Sequence, residues 1–114
     1  MPTPLHEAKA ELFRTLGHPV RVRILELLSE REHAVHELLA KIGLEPSGLS
    51  QHLAVLRRAG VVRQRREGGE VRYSLLTPSV RELMAAARVT LADLLAEGSR
   101  LQAELDEETA GDHA

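Results

Sequence analysis

The chain contains no cysteine, which excludes a disulfide framework, a thiolate metal site and a cysteine nucleophile. Aromatic residues are almost as scarce: Phe13 and Tyr73 are the whole set, 2% of the sequence. The core must therefore be aliphatic, built mainly from Leu, Val and Ala, and stacking platforms for single-stranded nucleic acid are disfavoured. No apolar run approaches the roughly 18 to 20 residues that a bilayer-spanning helix needs, so no membrane partner is expected. The stretch Met1 to Glu7 lacks the basic region and apolar segment of a secretory signal. With 114 residues, 43% hydrophobic and 28% charged, the composition is that of a compact globular protein, too short to build two independent cores. The expectation is one domain over residues 1–114, in the cytoplasm.

The net charge of −2 hides an asymmetry. Residues 45–76 carry six Arg (57, 58, 63, 65, 66, 72) against Glu45, Glu67 and Glu70, whereas residues 77–114 carry three Arg against eight acids. Between Ser50 and Arg66 there are five Arg and no acid. A charge run is often only a solvated face, but a one-signed stretch in a chain of negative total charge points to a polyanionic partner.

Helical periodicity dominates. Leu5, Ala8, Leu12, Phe13 and Leu16 recur at three- and four-residue spacing up to Gly17. Pro19 suits the first position of a second helix, whose apolar face is Val20, Ile24, Leu25, Leu27 and Leu28. Ala34 to Lys41 reads as a third helix, ended by Gly43, and Ser47 to Ala59 as a fourth, with Leu49, Leu53 and Leu56 as its buried stripe. The period then changes to alternation in Val61–Arg66 and Glu70–Leu76. Glu67-Gly68-Gly69 lies between them, where glycine supplies the positive φ of a tight hairpin. Ser79 and Glu82 have capping-box spacing for a long last helix, with Leu83, Ala87, Thr90, Leu94, Leu101 and Leu105 in its apolar pattern, a flaw at Gly98 and a frayed end from Glu107. The predicted fold is mainly α with a small β-hairpin, in the order α-α-α-α-β-β-α.

Two short helices joined by a tight turn (about 34–59) match a helix-turn-helix, and the Arg-rich hairpin (about 61–76) matches a wing. From here the sequence resembles the ArsR/SmtB-type winged helix repressors. The resemblance runs through Leu12-Phe13-Arg14-Thr15-Leu16-Gly17-His18-Pro19-Val20-Arg21-Val22-Arg23-Ile24-Leu25, then Gly48-Leu49-Ser50-Gln51-His52-Leu53-Ala54-Val55-Leu56-Arg57-Arg58-Ala59-Gly60-Val61-Val62, then Arg65-Arg66-Glu67-Gly68-Gly69-Glu70-Val71-Arg72-Tyr73. It covers roughly residues 8 to 76. It implies a winged helix-turn-helix that binds double-stranded DNA as a transcriptional repressor.

The residue chemistry agrees. With Leu49, Leu53 and Leu56 inward, Ser47, Gly48, Ser50, Gln51 and His52 are expected on the exposed side near a helix N-terminus, whose free N–H groups and partial positive charge suit phosphate. Gln51 can pair bidentately with adenine, Ser50 can donate or accept at either base type, and His52 can meet a base or a phosphate. Gly48 can only permit close approach. Arg57, Arg58, Arg65, Arg66 and Arg72 are candidates for backbone or minor-groove contact. Arg63 is either such a contact or an ion-pair partner of the acidic last helix, and Tyr73 is expected in the core. Glu45 departs from the family pattern: glutamate is a poor N-cap, which leaves Ser47 as the alternative cap.

One winged domain reads one half-site, so specific binding calls for two copies. Leu5, Leu12 and Leu16 from the first helix (about 5–16), with Leu83, Ala87, Leu94 and Leu101 from the last (about 79–106), exceed what one small core can bury and are the expected interface of a homodimer. Many members of the family sense metals. His33 and His36 are the candidates here for a shared ion, with Glu37 or His6 completing it, but scattered solvated histidines are the favoured reading and no cofactor is expected. The paired Asp and His of the other common family site are not matched: the last helix offers Asp93, and its nearest histidine is His113. Two alternatives stand beside the repressor: a metal-responsive version of it, and a winged helix used only for protein contacts. No nucleophile elbow or phosphate-cradling glycine loop is present, so catalysis is not expected. The effector is left open.

Overall fold

The computed structural model describes residues 2–112. The elements are α1 (Leu5–Leu16), α2 (Pro19–Glu30), β1 (His33–Ala34), α3 (Val35–Ile42), α4 (Pro46–Arg58), β2 (Val62–Glu67), β3 (Glu70–Leu75) and α5 (Val80–Asp112). The chain divides into two compact units, Met1–Arg81 and Glu82–Ala114, described separately below.

The first unit holds the core. Ile24, Leu25, Leu27 and Leu28 of α2, Leu38 of α3, Leu49, Leu53 and Leu56 of α4, and Val61, Val62, Tyr73 and Val80 are buried together. Truncating one such leucine to alanine costs about 2–5 kcal/mol. The boundaries follow from local chemistry. A Cβ on Gly17 would come within 2.9 Å of the Phe13 carbonyl oxygen, so only glycine can close α1 there. His18 caps α2 by accepting the Val20 N–H on Nδ1 at 3.1 Å, and Pro19 takes the first helical position. Gly43, at φ 74°, ends α3 in the left-handed conformation. Glu37 reaches back to accept the Ala34 N–H at 3.0 Å, half of a capping box, because Ala34 has no side-chain acceptor to return.

The hairpin pairs Val62 with Leu75 and Glu67 with Glu70 across a turn in which Gly68 and Gly69 both have positive φ (57° and 79°), as a two-residue turn of this hand requires. Beyond the sequence expectation there is a third strand. β1 pairs antiparallel with β3, setting His33 opposite Tyr73 and Ala34 opposite Arg72, so the sheet order is β1-β3-β2. Two residues carry no alternation to read, and the strand exists only because β3 lies beside it.

The second unit is helical from Glu82 to Asp112, which corrects the expected fraying from Glu107; His113 lies outside the described residues. Along this helix Ala87, Leu91, Leu94, Gly98, Leu101 and Leu105 recur at alternating spacings of four and three, the repeat of a coiled-coil seam. Leu91, Leu94, Leu101 and Leu105 are all exposed. Leu91 was missed by the sequence reading, although the seven-residue spacing marks it. In the first unit, α1 leaves Leu5, Leu12 and Phe13 exposed, while Leu16 is only 4% exposed. Leu16 is therefore a core residue, not part of an interface, and Phe13 takes its place on the open side of α1.

Candidate nucleic-acid interface

The start of α4 is set by Pro46 at its first position and by Glu45, whose backbone is extended and whose side chain caps nothing. Ser47 lies inside the helix and is not its cap, contrary to the alternative raised by the sequence. Burial of Leu49, Leu53 and Leu56 turns Ser47, Ser50, Gln51, Arg57 and Arg58 to the surface, as their positions on a 3.6-residue period require.

Two predicted contact residues sit elsewhere. Gly48 is half-buried, and a Cβ there would meet the Leu44 side chain at 3.3 Å. Its missing side chain admits Leu44 from the preceding turn rather than a ligand from outside. His52 is also half-buried, on the flank of the leucine stripe, where its Nδ1 accepts from Arg21 Nε at 3.2 Å and its ring lies 4.3 Å from that of His18. It belongs to the seat of α4, not to its open face.

The arginines of the hairpin divide into tied and free. Arg65 donates to both carboxylate oxygens of Glu32 at 2.8 Å and to Glu67 at 2.7 Å. Arg72 donates to Glu32 at 3.2 Å and to Glu70 at 2.6 Å. Glu32, in the α2–β1 connection, therefore grips two arginines of the hairpin at once, and its acidity is raised chiefly by the Arg65 hydrogen bond, opposed by burial and aided by Arg72. Arg65 and Arg72, expected to face a partner, are engaged within the unit. Arg57 donates to Gln64 Oε1, joining the last turn of α4 to β2, and Arg63 lies 3.4 Å from Ser74 Oγ. Arg58 and Arg66 make no ion pair or side-chain hydrogen bond among the described residues. Arg57, Arg63 and Arg66 line one groove beside the end of α4, together with Gln64, Val62 and Leu76.

The proposed histidine pair does not form a site. His33 is fully buried, with Nε2 3.0 Å from the Lys41 ammonium and Nδ1 2.9 Å from the Arg31 carbonyl oxygen. Lys41 can only donate, so Nε2 accepts and the ring proton sits on Nδ1, leaving neither nitrogen for an ion. His36 is exposed and pairs with Glu70 at 2.7 Å, and this contact, before that of Arg72, keeps the Glu70 carboxyl below its ordinary range. Among the described residues no group of three or more His, Cys, Asp or Glu is arranged to hold a metal. Tyr73 is buried, as expected.

A helix with an exposed polar face thus stands next to an arginine-bearing hairpin. The profile of the bacterial regulatory protein arsR family matches residues 18–64. The HTH-type transcriptional regulator Rv0081 of Mycobacterium tuberculosis is 56% identical over 95 residues, covering 82% of this chain and 83% of that protein. The chain belongs to the ArsR family. It is thus a winged helix-turn-helix transcriptional regulator. The crystal structure of Rv0081 superposes with a TM-score of 0.78 at 55% identity, over 84% of this chain and 97% of the other. The homodimeric winged helix-turn-helix DNA-binding domain of Mb0332 from Mycobacterium bovis, described as a possible ArsR-family regulator, gives a TM-score of 0.72 at 29% identity, covering 82% and 86%. The biofilm growth-associated repressor of Agrobacterium fabrum is 38% identical over 90 residues, 75% of this chain and 77% of that one. Within the family pattern, the helix-turn-helix is α3 and α4 and the wing is β2 and β3. No helix among the described residues is long and apolar enough to cross a membrane.

Proposed function

We propose that this ArsR-family chain is a homodimeric repressor that seats two copies of α4 in successive major grooves of an imperfect palindrome overlapping a promoter, in the cytoplasm and without a catalytic role. The observation that carries this reading is the uncommitted polar surface: Ser50 and Gln51 exposed on the first turns of α4, flanked by Arg58 on the same helix and Arg66 on the wing, neither tied to an acid among the described residues. Ser50 and Gln51 supply base readout, while Arg58 and Arg66 supply backbone charge. Pairing of copies is supported by the Leu91, Leu94, Leu101 and Leu105 seam, by exposed Leu5, Leu12 and Phe13, and by the homodimeric state of Mb0332. Half-sites one helical turn apart, about 34–36 Å, follow from one α4 per copy.

The test is binding to a duplex selected from a random pool, measured across salt concentrations. Log K should fall by about 0.9 per neutralised phosphate per log unit of salt. Gln51→Ala should relax preference at one base pair, by about 1–3 kcal/mol, whereas Arg66→Ala should weaken all sequences alike and reduce the salt slope by about one. A flat salt response, or both variants binding like the parent, would assign the surface to protein contacts instead.

A further inference from the structure

Arg21 bridges two elements with different tasks. Its Nη1 donates to the Thr15 carbonyl oxygen in the last turn of α1 at 2.9 Å, and its Nε donates to His52 Nδ1 in the second turn of α4 at 3.2 Å, both contacts partly buried. A guanidinium has donors only, so Nδ1 must be the unprotonated nitrogen and the ring proton of neutral His52 lies on Nε2. His18 lies against His52, its ring centroid 4.3 Å away and its plane tilted by 41°, and its Nδ1 is committed to the cap of α2. The ionisable groups that face His52 are therefore Arg21 and His18, both from the start of α2; α1 reaches it only through Arg21, by way of the neutral Thr15 carbonyl, and its neighbours on α4, Gly48, Leu49, Val55 and Leu56, are not ionisable. Burial, then His18, then Arg21 hold its proton affinity below the ordinary histidine range.

We propose that Arg21 is a positioning residue for DNA recognition: by gripping Thr15 and His52 together it fixes the setting of α4 against the end of α1, so that base readout depends on His52 staying neutral. The inference rests on the DNA-binding reading above and extends it to control. A protonated His52 carries hydrogen on Nδ1 and cannot accept from Arg21. Two cations then abut where a hydrogen bond stood, and the clamp opens. The consequence is unusual for a DNA-binding surface. Acidification adds positive charge, which favours backbone binding to any sequence, yet it removes the setting that sequence-specific contacts need.

The experiment compares affinity for a duplex selected by the wild-type protein at about pH 7.5 with that for a scrambled duplex, at about pH 7.5 and about pH 5.5. In the wild type the specific-to-scrambled ratio should fall between the two pH values by less than about tenfold per copy, since tenfold is the limit for a group at the ordinary histidine value and His52 lies below it. His52→Asn can offer its side-chain oxygen in place of Nδ1 without titrating, and should hold the ratio within about twofold at both pH values. Arg21→Gln should have a low ratio at both. Identical pH profiles for wild type and His52→Asn would overturn the inference. So would an Arg21→Gln variant that melts earlier but keeps its ratio, since that is the mark of a purely structural residue. A second readout is independent of DNA: the proton–nitrogen spectrum of the free protein should show the Nε2–H tautomer of His52 in the wild type and a mixture in Arg21→Gln. The Nδ1–H tautomer in the wild type would refute the clamp even if DNA binding were intact. Failure to select any duplex, with the expected tautomer present, would instead refute the DNA-binding reading and the recognition role together.

Discussion

Leu94→Ala offers the sharpest test of how copies associate. Leu94 is 65% exposed in a single chain and lies on the seam formed with Ala87, Leu91, Leu101 and Leu105. Fully burying a leucine is worth about 1.5–3 kcal/mol, and with two-thirds of the side chain left to cover, the partner contributes about 1.5 kcal/mol per copy. A twofold interface loses that amount twice, about 3 kcal/mol, which raises the dimer dissociation constant about a hundredfold. Sedimentation equilibrium over a dilution series measures it directly. Because the residue is exposed within its own chain, helicity and melting at high protein concentration should stay near those of the parent. Val89 is the control: also exposed, it sits on the opposite side of α5, and Val89→Ala should leave association unchanged. An unchanged dissociation constant for Leu94→Ala, or an equal loss from Val89→Ala, would refute the seam.

Two further outcomes follow from the acidic residues around the wing. Glu32→Gln removes the carboxylate that holds Arg65 and Arg72, and it should tighten binding to DNA of any sequence at low salt and steepen the salt slope by up to about 0.9 per additional phosphate engaged; a slope equal to the parent's would show that these arginines do not reach DNA when released. Glu37 is held down to about 2 from its ordinary 4.5, first by the Arg31 hydrogen bond and then by the Ala34 N–H. Because its folded value is the lower one, Glu37 contributes stability that is fully present above the unfolded value and is lost as pH falls from there toward 2. Melting temperatures across that acid range should therefore drop less steeply in Glu37→Gln than in the parent, and parallel curves would remove Glu37 from the account.

Much of this protein is legible in its sequence because its elements are marked by local chemistry. Gly17, Pro19, Gly43, Pro46 and the Gly68-Gly69 pair punctuate the chain, and the leucine stripe of α4 declares which side is buried. What could not be read is decided between elements. Gly48 looks like an opening for a ligand until Leu44 is seen to occupy the space, and no feature of residues 45–59 reveals it. His52 carries the same polar side chain whether it faces outward or meets Arg21, thirty-one positions away. Arg65 and Arg72 read as free charge because Glu32, their partner, is far along the chain. Leu16 continues the apolar spacing of Leu5 and Leu12, and only the packing of the bundle separates the inward residue from the outward ones. His33 likewise could not be separated from His36 by spacing, since its burial depends on the short strand that β3 recruits.

The hairpin turn has one last implication. Strands of six residues make a finger roughly 20 Å long, and the register that sets Glu67 against Glu70 puts a carboxylate on each side of its blunt end. Glu67 is held by Arg65, and Glu70 by Arg72 and His36, so the fingertip carries its acids in ion pairs rather than as free charge. Arg66 stands beside that tip without an ion-pair partner among the described residues, so in the proposed DNA complex it is the end of the hairpin that offers a phosphate unspent charge.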